Sequence, residues 1–242
     1  MDLRGRTALV TGAGKRLGRA IALALAGEKA RVAVHCHRSR PEADETARFI
    51  AASGGKATVI EGDLADPSTP AALVRQATKV LGEISILVNC AAIYEETPWP
   101  VSDDDWARHL EINLTAPMRL IREATPSLRA QGGVVVNVID AVWDRPTWSK
   151  HSAYCVSKAA LAALTQNLAR ALAPEVRVNG VAPGATLAPE DFTKEQALEA
   201  IQSVPLGRWG RPQDVAQAVI LVATNDFMTG QILTIDGGRS AV

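Results

Sequence analysis

A short apolar run in this sequence leads through a glycine-rich turn directly into an alanine- and leucine-rich segment. The run spans Arg6 to Thr11, the turn reads Thr-Gly-Ala-Gly-Lys-Arg-Leu-Gly up to Gly18, and the following segment ends near Glu28. Strand, tight turn and helix in this order typify nucleotide-binding folds, where backbone N–H groups at the helix N-terminus bind phosphate. Leu17 stands where the G-x-G-x-x-G pattern has its third glycine, so a plain strand-to-helix turn is the alternative reading.

Alternation of strand-like and helix-like segments continues along the whole chain. Strands are predicted at 6–11, 31–35, 57–61, 85–89, 133–138, 177–181 and 231–235. Helices are predicted at 16–28, 42–52, 68–81, 103–129, 152–172, 194–203 and 212–224. This order predicts an α/β fold: a single Rossmann-type doubly wound domain over residues 1–242, with about seven parallel strands and helices on both faces. Three turn breakers between residues 183 and 193 predict a mobile flap or an ordinary surface loop.

The composition of the chain argues against several classes of partner and of stabilising cross-link. The chain has 26 basic and 26 acidic residues in 242, with no basic stripe, which argues against nucleic acid as a partner. Cys36, Cys90 and Cys155 are odd in number and far apart, which disfavours a disulfide framework or a zinc site. We find no signal peptide and no apolar run of membrane-spanning length, so a soluble, cytoplasmic protein is expected.

The end of the second strand indicates which dinucleotide is bound. NAD-binding enzymes place an acid there for the ribose hydroxyls, but this chain reads His-Cys-His-Arg-Ser from His35, with no acid before Glu42. Arg38, with His37 and Ser39, can hold a 2′-phosphate through charge-assisted hydrogen bonds. We therefore expect NADP(H), a basic surface loop being the alternative. The two histidines lack a third ligand nearby, and no metal site is predicted.

Tyr154 and Lys158 lie four residues apart in a predicted helix, which places both side chains on one face. An ammonium group beside a phenol favours the phenolate, so we expect Lys158 to lower the pKa of Tyr154. A tyrosine tuned in this way can exchange a proton near neutral pH.

Together these motifs resemble the short-chain dehydrogenase/reductase family over nearly the whole chain. The matching positions are Thr11–Gly18, Asp63, Asn89–Ala91, Asn113, Tyr154, Lys158, Pro183-Gly184 and Asp236-Gly237-Gly238. The chain departs from the usual pattern at Arg16, where most members have Gly, and at Asp140, where most have a catalytic Ser. These departures, with Tyr94 after the fourth strand, look like the pteridine reductases and dihydromonapterin reductases.

The resemblance implies hydride transfer from NADPH to an imine or carbonyl carbon, with Tyr154 as proton donor. Lys158 would also hold the nicotinamide ribose, Asn113 would hold a water leading to solvent, and Asp140 would assist proton delivery. Predicted cofactor contacts come from Gly12, Gly14, Lys15, Arg16, Leu17, Gly18, His37, Arg38, Ser39, Asp63, Leu64, Asn89, Cys90, Ala91, Tyr154, Lys158, Pro183 and Gly184. Predicted substrate contacts come from Arg16, Tyr94, Asp140 and Tyr154.

Several alternatives stay open at this level. A reductase of 3-oxoacyl thioesters or other small carbonyls shares the fold, the cofactor and the Tyr-Lys pair. A catalytically silent NADP(H)-sensing protein is the alternative from another class. Trp143 and Trp148 could wall the substrate pocket or pack in the core. The family commonly forms tetramers through its two long helices, so a homotetramer is expected.

Overall fold

The computed structural model describes residues 1–145, 148–188 and 192–241. Its strands are β1 (Thr7–Val10), β2 (Arg31–Cys36), β3 (Lys56–Glu61), β4 (Ile84–Asn89), β5 (Val134–Val138), β6 (Arg177–Pro183) and β7 (Ile232–Ile235). Its helices are α1 (Arg16–Gly27), α2 (Arg40–Ala52), α3 (Thr69–Leu81), α4 (Asp103–Leu110), α5 (Ala116–Gln131), α6 (Ser152–Ala171), α7 (Lys194–Gln202) and α8 (Pro212–Thr224). A π turn (Glu111–Thr115) joins α4 to α5, and a 3₁₀ turn (Arg239–Ala241) follows β7.

All seven strands pair in parallel in the order β3-β2-β1-β4-β5-β6-β7, which confirms the predicted doubly wound sheet. One apolar cluster lies under α1, α2 and α8, with Ile21 and Leu25 among its buried members. A second lies under α3, α5 and α6, with Leu73 and Leu120 in it. The chain reverses its direction of travel across the sheet between β1 and β4, where a crevice opens at the carboxyl ends of parallel strands.

The prediction of one continuous helix over 103–129 is wrong. The α-helix stops at Leu110, passes through the π turn and resumes at Ala116. In an uninterrupted α-helix the N–H of residue 117 would donate to the carbonyl of Asn113, but Pro117 has no N–H. The helical ladder is therefore broken at Asn113, as is common for π turns at functional positions.

No helix within the described ranges is both long and apolar enough to cross a bilayer.

Two glycines of α1 differ sharply in the room around them, and this difference predicts opposite effects of alanine. A Cβ on Gly18 would lie 2.1 Å from the Gly12 carbonyl oxygen, whereas a Cβ on Gly27 would meet nothing within 4 Å. We expect Gly18→Ala to lower the free energy of unfolding by about 3 kcal/mol, because the turn must move. Gly27→Ala should raise it by about 0.5–1 kcal/mol. Urea unfolding of both variants measures these changes in the free energy of unfolding, provided that the m-value is unchanged. Equal changes in the two variants would contradict the turn geometry.

Candidate functional site

The glycine-rich turn brings three chain segments together at backbone distance. Gly12 has a φ of +64°, a conformation that favours glycine, and its Cβ position lies 3.0 Å from the Ala91 Cα at the end of β4. At Gly14 a Cβ would lie 2.9 Å from the Ser39 Oγ. The side chain of Lys15, the N-cap residue of α1, makes no capping hydrogen bond, and the first turn of α1 holds no acid. The N-terminal N–H groups of α1 are therefore suited to a phosphate.

Arg16 occupies a conformation that explains why most family members carry glycine there. Its φ is +53°, in the left-handed region that costs most L-residues about 1 kcal/mol or more. Its guanidinium reaches across the mouth of the site to the Ala188 carbonyl oxygen at 3.5 Å. Arg16 therefore bridges the first turn and the segment after β6.

His35 is buried directly beneath the glycine-rich turn, a role that the sequence reading did not anticipate. Its Nδ1 accepts from the Gly12 N–H at 3.2 Å and its Nε2 donates to the Gly62 carbonyl at 3.1 Å. Burial lowers the pKa of His35 to about 4, so the ring is neutral. Both nitrogens hold backbone groups, which explains His35 without a metal.

The far end of the site carries positive charge. Arg38 and Lys15 are exposed, and within the described ranges neither side chain forms a hydrogen bond or an ion pair. The His37 ring lies 3.7 Å from the Asp63 carboxylate and thereby links the ends of β2 and β3, while Leu64 is buried. An exposed guanidinium without a counter-ion suits a phosphate group at this position.

The end of β4 is held from both sides. Thr11 Oγ1 accepts from the N–H groups of Cys90 and Ala91 at 2.9 and 3.0 Å. The Asn89 amide donates to Asn137 Oδ1 at 2.8 Å, inside the sheet. The amide nitrogen of Asn89 is thus committed to the strand-strand interface, whereas its Oδ1 is buried without a hydrogen-bond partner among the described residues.

The predicted proton relay is assembled at the end of β5. The Tyr154 hydroxyl donates to Asp140 Oδ2 at 2.8 Å, and Asp140 Oδ1 accepts from the Val142 N–H at 3.1 Å. The Lys158 Nζ donates to the Val138 carbonyl at 2.8 Å and lies 5.7 Å from the centroid of the Tyr154 ring. Both Tyr154 and Lys158 are almost completely buried.

The expectation that Lys158 lowers the pKa of Tyr154 is wrong for this structure. Burial, together with the Asp140 carboxylate, raises the pKa of Tyr154 well above its ordinary value. Burial also raises the pKa of Asp140, although the Val142 N–H, the Tyr154 hydroxyl and Lys158 oppose this shift. Burial lowers the pKa of Lys158. Tyr154 therefore keeps its proton at neutral pH and is not a ready phenolate.

Asn113 lies in the π turn beneath the loop that follows β4. Its amide nitrogen donates to the Ile93 carbonyl and the Ser157 Oγ, both at 3.0 Å, and its Oδ1 accepts from the Ile93 N–H at 2.9 Å. These bonds tie the loop to α6 and occupy the side chain, so a relay water would have to use the backbone of Asn113.

Two aromatic rings lie close to the ring of Tyr154. Tyr94 meets the Tyr154 ring edge-on with centroids 4.9 Å apart and stacks on His151 at 4.3 Å, its hydroxyl 3.1 Å from the His151 Nε2. Trp148 lies nearly parallel to Tyr154 at 6.4 Å. Trp148 packs against the cluster that contains Tyr154, whereas Trp143 packs against the cluster that contains Ile139.

Thr97 fastens the Tyr94 loop to the start of α6. Its N–H donates to the Lys150 carbonyl at 2.6 Å, and its Oγ1 accepts from the Ala153 N–H at 3.1 Å. His151 adds a bond from its Nδ1 to the Glu95 carbonyl at 3.0 Å. Sequence reasoning missed Thr97 and His151, since neither belongs to a recognised motif.

Pro183 ends β6, two residues beyond the predicted end of that strand. Gly184 follows it, where a Cβ would lie 2.4 Å from the Asp236 Cβ. Both residues thus stand at the sheet edge that carries the relay. Pro189, Glu190 and Asp191 of the predicted flap lie outside the described residues.

Known proteins resemble this chain along its full length. Residues 12–240 match the model of the enoyl-(acyl carrier protein) reductase family. A Brucella canis structure described as FolM alternative dihydrofolate reductase 1 complexed with NADP is 36% identical, with a TM-score of 0.93 and 100% and 96% of the two chains covered. A blue fluorescent protein from a metagenomic library in complex with NADPH is 32% identical, with a TM-score of 0.92 and 99% of each chain covered. The 3-oxoacyl-[acyl-carrier-protein] reductase FabG of Staphylococcus aureus (strain Mu50) is 33% identical over 96% of this chain and 97% of its own. The chain belongs to the short-chain dehydrogenase/reductase family of oxidoreductases.

Proposed function

We propose that this protein is an NADPH-dependent reductase of a pterin, with Tyr154 as the proton donor. The observation that carries the proposal is the 2.8 Å hydrogen bond from the Tyr154 hydroxyl to Asp140, which stands where most family members have serine. One of the named relatives also favours it, because the Brucella canis structure is described as FolM alternative dihydrofolate reductase 1 complexed with NADP.

The residues around the turn fit a dinucleotide that carries a 2′-phosphate. Close approach at Gly12, Gly14 and Gly18 leaves no room for a Cβ, and the uncapped N-terminus of α1 favours a pyrophosphate. Arg38 offers its guanidinium where the adenosine ribose binds in such folds. When bound, NADPH supplies the hydride.

The chain itself supplies the proton and orients the substrate. Tyr154 gives its proton to the reduced imine or carbonyl group, and Asp140 holds the Tyr154 hydroxyl in place. Lys158 donates to the Val138 carbonyl and thereby holds α6 against the end of β5. Its ammonium nitrogen lies 5.7 Å from the centroid of the Tyr154 ring.

Asp140 favours a pterin over a plain ketone. A carboxylate accepts hydrogen bonds, and each oxygen has lone pairs beyond those used by Val142 and Tyr154. A pterin ring carries amide and amino N–H donors, whereas a ketone has none. Tyr94 offers an aromatic face for a flat ring, worth about 0.5–1.5 kcal/mol beyond burial.

A 3-oxoacyl thioester reductase is the second candidate, favoured by the similarity to the Staphylococcus aureus reductase. NADPH oxidation by the purified protein, with dihydrobiopterin or dihydromonapterin beside an acetoacetyl thioester, separates the two. Pterin turnover with thioester silence supports the proposal. Thioester turnover alone would reject it, and silence with both substrates despite NADPH binding would favour a sensing protein.

We also propose a homotetramer that associates through α4, α5 and α6. The exposed Trp106 and Val156 on two of these helices support it. Sedimentation of the purified protein tests it.

Cofactor choice should depend on Arg38 and not on its neighbour Arg40. Arg40 is already paired with Asp44 at 3.0 Å and lies 3.5 Å from Glu61, whereas Arg38 has no such partner among the described residues. We expect Arg38→Gln to raise the KM for NADPH by about 10–100-fold, through loss of a charge-assisted contact, without raising the KM for NADH. Arg40→Gln is the matched control, and equal changes in both variants would assign the phosphate elsewhere.

Proton donation should depend on Tyr154 and be tuned by Asp140. Tyr154→Phe should lower kcat by about 10²–10⁴-fold, whereas Tyr94→Phe, which alters the other tyrosine of the chain, should lower it by less than about tenfold.

Asp140 raises the pKa of Tyr154. Asp140→Asn should therefore lower that pKa, so the loss of kcat at alkaline pH begins at a lower pH. An alkaline limb that does not move would show that Tyr154 is not the titrating acid.

A further inference from the structure

Arg239 lies beside the substrate pocket, although no motif of the sequence points to it. Its guanidinium carbon is 5.7 Å from the centroid of the Trp148 ring, a distance typical of a cation–π contact. The same indole lies nearly parallel to Tyr154, with ring centroids 6.4 Å apart. Trp148 therefore contacts both the guanidinium of Arg239 and the ring of the proposed proton donor.

The backbone on both sides of Arg239 is fixed. Asp236 accepts from the N–H of Gly238 at 2.9 Å and from the N–H of Ser240 at 2.6 Å, and Arg145 donates to the Ser240 carbonyl at 3.5 Å. Gly237 and Gly238 have φ values of +67° and +90°, which favour glycine. The 3₁₀ turn thus presents Arg239 from a rigid base.

Arg239 has no counter-ion in direct contact within the described part of the chain. Among residues 1–145, 148–188 and 192–241, none forms an ion pair or a hydrogen bond with its guanidinium. Its charge nevertheless reaches the pocket, since it opposes the upward pKa shifts of both Tyr94 and Asp140. Five N–H donors on a partly exposed side chain are therefore available to a ligand.

We propose that Arg239 is a specificity residue that binds an anionic group, a carboxylate or a phosphate, on the part of the substrate remote from the reacting bond. The guanidinium matches both groups in charge and geometry. Trp148 keeps it at the pocket wall, beside rather than on the reacting atoms. The inference rests on the proposed reductase function but not on the pterin ring itself.

The test compares substrates that react alike and differ in charge. One pair is dihydrofolate, with its glutamate carboxylates, and dihydrobiopterin, whose side chain is neutral. The other is acetoacetyl coenzyme A, with its phosphates, and the neutral acetoacetyl thioester of N-acetylcysteamine. KM and kcat are measured at saturating NADPH for the native enzyme, Arg239→Gln and Arg239→Lys. Arg75→Gln, an exposed change of the same charge on α3, is the control.

For whichever pair is turned over, Arg239→Gln should raise the KM of the anionic member about tenfold and leave that of the neutral member within about twofold. Added salt should weaken the effect, and Arg239→Lys should restore much of it. A change of equal size for both members, or none, would overturn the inference. Turnover of the thioester pair alone would reject the pterin proposal while still testing Arg239.

If neither pair reacts, equilibrium binding of folate to the NADP⁺-loaded protein takes the place of kinetics. An equal Kd for native protein and Arg239→Gln would then overturn the inference.

Discussion

Parallel pairing of β1 with β4 is the constraint on which the rest of the site depends. It brings the glycine-rich turn within backbone distance of Ala91, and the Thr11 hydroxyl locks the two strand ends together through two N–H groups. β5 pairs with β4 on its other side, so the carboxyl ends of all three strands meet at one edge. The glycine-rich turn and the residues of the predicted proton relay are thereby held by one set of backbone hydrogen bonds, and displacement of β4 would disturb both.

Buried polar side chains at this edge of the sheet form hydrogen bonds that join β4, β5 and α6. Asn89 bonds to Asn137, and Asn137 donates to Thr165 of α6 at 2.8 Å. The same helix carries Tyr154 and Lys158. Tyr154 donates to Asp140, just beyond the end of β5, and Lys158 donates to the carbonyl of Val138, the last residue of β5. Since a buried polar group without a partner costs about 1–3 kcal/mol, this network fixes the position of α6 against the sheet.

The sequence was sufficient for the architecture, because strand and helix periods alternate and the glycine-rich turn fixes the first unit. It also placed Tyr154 and Lys158 near each other on one helix, and α6 carries both with the Lys158 Nζ 5.7 Å from the Tyr154 ring centroid. Their role in a proton relay stays a prediction. The sequence failed where the answer depends on tertiary environment: the direction of the pKa shift of Tyr154 follows from burial and from Asp140, neither of which a spacing reveals. The break at Asn113 had a local signal, because Pro117 cannot donate to it. His35 and Thr97 had none, as their partners are distant backbone groups.

The electrostatics of the Asp140 carboxyl explain how one residue replacement could change the chemistry of the site. A serine can donate to a carbonyl oxygen at any pH, whereas a carboxylate cannot donate until it is protonated. Burial moves Asp140 towards protonation, and the Tyr154 hydroxyl and Val142 N–H oppose this by bonding to the ionised form. The balance leaves an acceptor that disfavours a ketone oxygen and favours a ring N–H. It also keeps the proton on Tyr154. In the proposed mechanism the same carboxylate both selects the substrate and holds the donor in its acidic form until the substrate takes the proton.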